Sequence, residues 1–265
     1  MNKDNASTFS TILKLCDDES TFGRFIERGY KPGRSDLVDA IEKGNTALVK
    51  ALLEAKPIPG HDRPKREWAS NNPLHAAIRH WDAAMIQLLI ENGQDVNEHP
   101  RGAGHRSALQ LAVEREDLGM IRLLLEAGAD VNGEPARKNG ATALQVAAIL
   151  GSLGIAKLLL DLEPPADIDA RCARVGGRTA LEGAAEHGRI DMVQLLLAYD
   201  VKTTGTGQRQ YLRAMKFAKA NGHEVVVRIL EDHRQLTASE KRKLLFEGKE
   251  LMEDGVAVDE FSHYF

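Results

Sequence analysis

A glutamate beside a histidine can exchange protons in general acid–base catalysis, and Glu186-His187 is such a pair. Arg174 and Arg178 come shortly before it in the sequence and could hold a small anion nearby. A catalytic site also needs a nucleophile, a metal-ligand set or a phosphate-binding loop, and the sequence offers no recognisable one. We therefore expect that the protein is not an enzyme, and we keep an enzyme or small-anion site at these residues as an alternative.

The other reactive residues form no recognisable metal or cofactor motif. His223-Glu224 is not followed by a second histidine four residues later, as a zinc-protease helix requires. Cys16 and Cys172 have no Cys or His partner at metal-ligand spacing, and lone thiols are typical of a reducing intracellular compartment. The run Asp17–Glu19 is interpreted as a solvated charge cluster. We expect no cofactor and no metal.

Charge and hydropathy argue against two classes of partner. The formal net charge of the 265 residues is −4, so we expect no direct contact with nucleic acid. The sequence has no apolar run of about 18 residues, so we expect no membrane span, and no apolar run for a signal peptide near Met1. These patterns predict a protein of the cytoplasm, the nucleus or both.

One hydrophobic pattern recurs along the chain. Residues 107–132 contain two short helical patterns, and the second places Leu118, Ile121, Leu124 and Leu125 on one face. Isolated helices of this length are marginal in water, so each pair needs neighbours. Equivalent pairs recur every 34 to 37 residues, with first helices centred on Leu37, Leu74, Leu109, Leu144, Leu181 and Met215. A fixed period with two helices per unit predicts a stacked all-α solenoid.

The repeated motifs resemble those of ankyrin repeats. Asn72-Pro73-Leu74-His75-Ala76-Ala77 matches the Thr-Pro-Leu-His-x-Ala start of that repeat, and Thr142-Ala-Leu and Thr179-Ala-Leu match it in part. Gly128-Ala-Asp-Val-Asn132 and Gly93-Gln-Asp-Val-Asn97 match the turn after the second helix. The resemblance covers about residues 35–233. It implies an all-α ankyrin-repeat solenoid of helix-turn-helix units joined by loop or hairpin fingers.

The pattern divides the chain into three parts. We expect N-terminal capping helices in 1–34, an array of about six repeats in 35–233, and a C-terminal helix with an acidic, aromatic tail in 234–265. Thr237 and Glu240 form a predicted capping box for that helix, which should cover about Ser239–Met252.

The end of each first helix should turn through a left-handed residue, which is usually glycine in the family. Gly44, Gly151, Gly188 and Gly222 fit this expectation. Trp81 and Glu116 occupy the same position in two other repeats, and their turns should be strained or built differently.

In the family, partners commonly bind a concave side formed by the fingers and the exposed ends of the first helices. Ile149 and Leu150 would place two apolar side chains within a charged row, which suits a binding centre. A local packing shift that buries both is an equally weighted alternative. The row carried over by position comprises Glu42, Lys43, Arg79, His80, Glu114, Arg115, Ile149, Leu150, Glu186, His187, Ala220 and Asn221.

The fingers are basic. Residues 57–71, 98–107, 133–141, 170–178 and 201–210 together carry a net charge of +8, and they include the candidate contacts Trp68, Arg101, Arg137 and Arg174. A basic rim would attract a partner with an acidic surface. Solvated loops without a binding role remain the alternative.

The C-terminal segment has the opposite charge. Residues 247–260 carry a net charge of −5 and are followed by Phe261, Tyr264 and Phe265. We hypothesise that this tail folds over the basic rim or serves as a partner-binding peptide, and disorder is the alternative.

These observations favour a non-catalytic scaffold for protein–protein interaction. The resemblance suggests a regulatory protein or a transcriptional co-regulator, acting as a monomer. The alternative interpretation is an adaptor that recruits a client protein to a larger complex.

Overall fold

The computed structural model describes residues 27, 32–55, 73–98 and 106–246. Within this part the chain forms α-helices and no β-strand, which confirms the all-α prediction. Several predicted features lie outside the described residues: nearly all of the N-terminal cap, Trp68, Arg101 and the acidic tail. Among the described helices, none is both long enough and apolar enough to cross a bilayer.

The chain divides into two compact units, Met1–Gly102 and Ala103–Phe265. The first contains α1 (Arg34–Glu42), α2 (Thr46–Glu54), α3 (Pro73–His80) and α4 (Ala83–Glu91). The second contains α5 (Ala108–Glu114), α6 (Leu118–Glu126), α7 (Ala143–Leu150), α8 (Leu153–Leu160), α9 (Ala180–Glu186), α10 (Ile190–Ala198), a 3-10 turn at Gly205–Gly207, α11 (Gln208–Ala220), α12 (Glu224–His233) and α13 (Ala238–Phe246). Helices α1 to α12 form the six predicted pairs.

Side-chain caps determine where many helices begin. Asn45, Asp82 and Asp117 precede second helices, and each side chain accepts a hydrogen bond from a backbone N–H in the first turn. First helices α5, α7 and α9 instead begin with capping boxes, in which a Ser or Thr and the residue three positions later satisfy each other's backbone N–H groups.

Leucine, alanine and valine form most of the core of the second unit. Helix α7 packs against α5 and α9, and α9 also packs against α11, so the first helices lie side by side. Leu109, Leu144, Leu181 and Met215 are at most 3% exposed. Each helix has too few residues to be stable alone, and burial against its neighbours supplies that stability.

The turns between paired helices adopt one conformation whether or not glycine is present. The predicted glycines have positive φ, between 65° at Gly188 and 83° at Gly151. Trp81 and Glu116 have φ of 58° and 54°, which is unfavourable for a residue with a Cβ atom. The packed helix pairs impose the left-handed turn on these two residues, and the predicted strain is therefore present.

The C-terminal capping box is also confirmed. Thr237 N–H donates to Glu240 Oε2 at 2.8 Å, and Glu240 N–H donates to Thr237 Oγ1 at 3.2 Å. The helix begins at Ala238, one residue before the predicted start, and its predicted end at Met252 lies outside the described residues.

Candidate functional site

Three connecting segments of the second unit lie before first helices α7, α9 and α11. We call them finger A (133–141), finger B (170–178) and finger C (201–207). Fingers A and B pair through an isolated parallel bridge between Lys138 and Val175, where Asn139 N–H donates to Val175 O at 2.9 Å. The predicted finger 201–210 is shorter than expected, because the 3-10 turn leads directly into α11 and places Arg209 and Gln210 in its first turn.

A buried glutamine holds each of the first two fingers. Gln145 Oε1 accepts from Thr142 N–H at 3.0 Å, while its Nε2 donates to Ala170 O at 2.9 Å and to Arg171 O at 3.3 Å. Gln110 does the same for finger A, where its Nε2 donates to Gly133 O at 3.2 Å. We call this third position of a first helix the anchor position. Gln110 and Gln145 were not among the predicted site residues, although the Ser/Thr-x-x-Gln spacing marks this position in the sequence.

Glutamate replaces glutamine at the anchor position of α9. Glu182 Oε2 accepts from Thr179 N–H at 3.2 Å, but a carboxylate cannot donate to the next finger. Arg213 of α11 supplies the positive charge, with its Nε 3.0 Å from Glu182 Oε1. Burial raises the pKa of Glu182, and the charge of Arg213 opposes this rise. The result is a buried ion pair linking α9 to α11.

Gln210 occupies the anchor position of α11 and has a different environment. Its Nε2 donates to Asp169 Oδ1 at 2.8 Å and to Lys202 O at 2.9 Å. Its Oε1 has no hydrogen-bond partner among the described residues, although the residue is only 8% exposed. In α5 and α7 the corresponding oxygen, of Gln110 or Gln145, accepts from the N–H of the capping residue. Here Gly207 N–H donates to Thr204 O instead, at 2.9 Å.

A cavity of about 890 Å³ lies between fingers B and C. Its charged lining comprises Asp169, Glu182, Arg171, Arg174, Lys202, Arg209 and Arg213. A second cavity of about 560 Å³ lies between fingers A and B and shares Arg171 and Arg174 with the first. Arg137, Arg171 and Arg174 are exposed and have no ion-pair partner in the described part of the chain.

The predicted contact residues of the first unit form an ion cluster with each other. Arg79 pairs with Glu42, and His80 Nε2 lies 2.6 Å from the other oxygen of the same carboxylate. Partial burial raises the pKa of Glu42, but its hydrogen bonds to His80 and Arg79 outweigh burial and lower it overall. A partner that used Arg79 or His80 would have to compete with Glu42.

The predicted row in the second unit is also partly occupied. Glu114 pairs with Arg106, and Arg115 is exposed. Glu186 accepts two hydrogen bonds from Arg178, from Nε at 2.6 Å and from Nη2 at 3.0 Å. The bidentate pair occupies both oxygens of this carboxylate and fixes its orientation, so Glu186 serves to hold Arg178 and finger B in place.

Arg178 connects finger B to two helices. Its Nη1 donates to Gly177 O at 3.1 Å, and its guanidinium lies 4.2 Å from the centre of the Phe217 ring on α11. A cation over an aromatic face is favourable and adds to the ion pair with Glu186 on α9. Finger B is therefore held from its N-terminal side by Gln145 and from its C-terminal side by Arg178.

His187 is exposed beside this pair. Partial burial of its ring lowers the pKa of His187, and the negative charge of Glu186 opposes this effect. Within the described residues, no group of three or more His, Cys, Asp and Glu side chains is arranged to hold a metal ion.

Ile149 and Leu150 are both half-buried. Ile149 packs over Gly183, where an added Cβ would lie 2.6 Å from Ile149 Cγ1. Its carbonyl accepts from Arg189 Nε at 3.1 Å. The structure thus places part of this apolar pair in a packing contact and leaves part of it at the surface.

Comparison with protein families agrees with this organisation. A family model for ankyrin repeats, with three copies, matches residues 37–135 and 132–206. The matches cover most of α1, all of α2 to α10, and fingers A and B. Ankyrin repeats are generally protein–protein interaction modules and are typically non-catalytic. With well over half of its length matched and the predicted all-α fold confirmed, this chain belongs to the ankyrin repeat family.

Proposed function

We propose that this protein is a non-catalytic scaffold that binds an acidic surface of one protein partner. In the second unit, the partner contacts fingers A to C and the ends of α5, α7 and α9. The protein acts as a monomeric regulator in the cytoplasm, the nucleus or both, in the manner of a co-regulator that binds another protein rather than nucleic acid.

The observation that carries this proposal is the set of exposed arginines on well-anchored fingers. Arg137, Arg171 and Arg174 have no ion-pair partner in the described residues, whereas the nearby carboxylates Asp169 and Glu182 are engaged internally. Fingers A and B are held by buried glutamines and by their mutual bridge. Binding therefore requires little ordering of these loops, which favours affinity.

A charge-reversal pulldown tests the proposal. Wild-type protein and the variant Arg137→Glu/Arg174→Glu are used to capture proteins from native lysate, which are identified by mass spectrometry. The matched control is Arg122→Glu/Lys157→Glu, which makes the same charge change at exposed positions on α6 and α8. Circular dichroism first establishes that all three proteins have equal helix content.

We expect a protein that binds the wild type and the control but not the finger variant. Its affinity should fall by roughly tenfold between 50 and 200 mM salt, because exposed charges are screened. Equal capture by the finger variant and the wild type would refute the basic-finger surface. Absence of any partner specific to the folded protein would refute the scaffold function itself.

A further inference from the structure

We propose that the cavity between fingers B and C is a pocket for an acidic side chain of an extended peptide segment. Arg171 and Arg174 bind the carboxylate, and Gln210 Oε1 accepts a hydrogen bond from a peptide N–H. This inference rests on the proposed function, since the segment belongs to the protein partner.

The size of the cavity suits a peptide side chain with its adjoining backbone. Its volume of about 890 Å³ lies within the usual range of ligand clefts, roughly 300–1,000 Å³. The neighbouring cavity, of about 560 Å³, shares Arg171 and Arg174 and adds Arg137. Glu134 and Asp167 also line the second cavity, so its charged side chains sum to +1, against +3 for the first. Both cavities beside finger B thus have a net positive lining, and an extended acidic segment lying across the finger would reach both.

The charges of the pocket leave cationic groups available to a ligand. Five cationic and two acidic side chains line it. Asp169 Oδ1 accepts from Lys202 N–H at 3.0 Å as well as from Gln210 Nε2, and Glu182 is paired with Arg213. Neither acid is left to neutralise Arg171 or Arg174. A guanidinium binds a carboxylate through two parallel hydrogen bonds, so these two arginines favour that ligand group.

Gln210 distinguishes a peptide from a simple anion. Its Oε1 is a buried acceptor without a described partner, and leaving such an atom unpaired costs about 1–3 kcal/mol. Its Nε2 is already committed to Asp169 and Lys202, so exchanging the amide atoms would set an oxygen against two acceptors. Gln210 Oε1 therefore needs a hydrogen-bond donor. A peptide supplies both a carboxylate and N–H donors, whereas a phosphate or a small dicarboxylate supplies acceptors almost exclusively.

Cys172 provides a direct reporter, because it lines both cavities and is partly accessible. Burial raises the pKa of this thiol, so labelling is followed at mildly alkaline pH. The full chain carrying Cys16→Ser is treated with a thiol reagent in the presence of a synthetic peptide of sequence Gly-Glu-Asp-Glu-Gly, blocked at both ends. The control peptide is Gly-Gln-Asn-Gln-Gly, blocked in the same way, in which amides replace the three carboxylates. Inorganic phosphate and glutarate are the small-anion probes.

At a peptide concentration about ten times its Kd, the labelling rate of Cys172 should fall about tenfold, because only unoccupied protein reacts. The amide peptide should give no protection. Arg171→Gln/Arg174→Gln should abolish protection by the acidic peptide, whereas Arg122→Gln/Lys157→Gln should retain it. Conserved helix content and an unchanged labelling rate without peptide establish that the pocket variant is folded.

Two outcomes would overturn the pocket. Equal protection by phosphate or glutarate would make it a small-anion site, and absence of protection by the acidic peptide would remove it altogether. The pulldown separates this failure from that of the proposed function. If Arg137→Glu/Arg174→Glu still loses the partner, the scaffold remains and only the pocket is wrong; if the partner is unaffected as well, both fail.

Discussion

The anchor residues near finger B and near finger C differ in their hydrogen bonds and ion pairs. At finger B, both polar atoms of the Gln145 amide are hydrogen-bonded. Its Oε1 accepts from Thr142 N–H, and its Nε2 donates to Ala170 O and Arg171 O. Toward finger C, the anchor residue Glu182 needs Arg213 from the next helix, and Gln210 retains a buried acceptor without a described partner. The hydrogen bonds of Gln145 use both polar atoms of its amide, whereas those of Gln210 leave one acceptor unpaired beside the cavity between fingers B and C.

The C-terminal helix repeats the charged arrangement in a satisfied form. Glu240 is the anchor residue of α13, and Arg234 donates to both of its oxygens, at 2.7 and 3.1 Å. The same guanidinium donates to Thr203 O of finger C at 2.7 Å, so it ties α13 to a finger that precedes it, whereas Gln110 and Gln145 bind the finger that follows their helix. Glutamate with arginine can therefore replace glutamine at this position. Departures from the neutral pattern concentrate on the two sides of finger C, which is where the pocket lies.

Breaking the Glu182–Arg213 pair should have the largest effect. Arg213→Met would leave Glu182 buried and uncompensated, and the free energy of unfolding should fall by about 3–5 kcal/mol, measured by chemical denaturation. Glu182→Gln/Arg213→Met introduces the amide used at positions 110 and 145 and should recover most of that loss. A double variant as unstable as the single one would show that the neutral and charged arrangements are not interchangeable.

Acid should weaken the C-terminal pair next. The hydrogen bonds from Arg234 hold the pKa of Glu240 well below its ordinary value of 4.5. A carboxylate with a depressed folded-state pKa contributes stability that is fully present above pH 4.5 and declines as the pH falls below it. Glu240→Gln should cost about 1.5–3 kcal/mol at pH 7, because it removes charged hydrogen bonds.

The measurement for this pair is the unfolding free energy as a function of pH, for the wild type and for Glu240→Gln. The difference between the two should shrink from pH 5 to pH 3. A difference that stays constant over this range would show that the charge of Glu240 does not contribute.

Removing a neutral anchor should have the smallest effect of the three. Gln145→Leu leaves Thr142 N–H and two finger carbonyls without their buried partner, and it should lower the unfolding free energy by about 1–2 kcal/mol. Hydrogen exchange of the finger B amides should become faster. Gln194→Leu, at an exposed position on α10, is the control and should change neither quantity. Unaltered exchange in finger B would mean that Gln145 does not hold it.

Local patterns made most of the fold predictable. The period of the leucine motifs defined the six helix pairs, and short-range chemistry defined their ends, as at Thr237 and Glu240, where the capping box formed within one residue of its predicted place. The capping residues lie within one helical turn and the leucine motifs recur once per repeat, so both patterns can be recognised in a single sequence. Gly44, Gly151, Gly188 and Gly222 adopt the expected left-handed turns for the same reason.

The site could be predicted only in outline. The basic composition of the fingers was visible, and so was Arg174 as a candidate. The pairing of Glu186 with Arg178 was not, and neither was the packing of Ile149 on Gly183 across 34 residues of sequence. The first contact depends on how finger B folds against the end of α9, and the second on how neighbouring repeats stack, and no local rule specifies which side chains then meet.

The sequence by itself determined the helices, their caps and the family, because those properties follow from short-range hydrogen bonding and from the period of apolar residues. Only the tertiary structure decided which charges remain available to a partner. No sequence pattern distinguishes the acids Asp169, Glu182 and Glu186 from the arginines of finger B as candidates for exposure. In the folded chain the three acids form internal hydrogen bonds or ion pairs, whereas Arg171 and Arg174 line an open cavity. Packing within and between repeats makes that selection, because an acid that is wholly or partly buried within reach of an internal donor is stabilised by pairing with it.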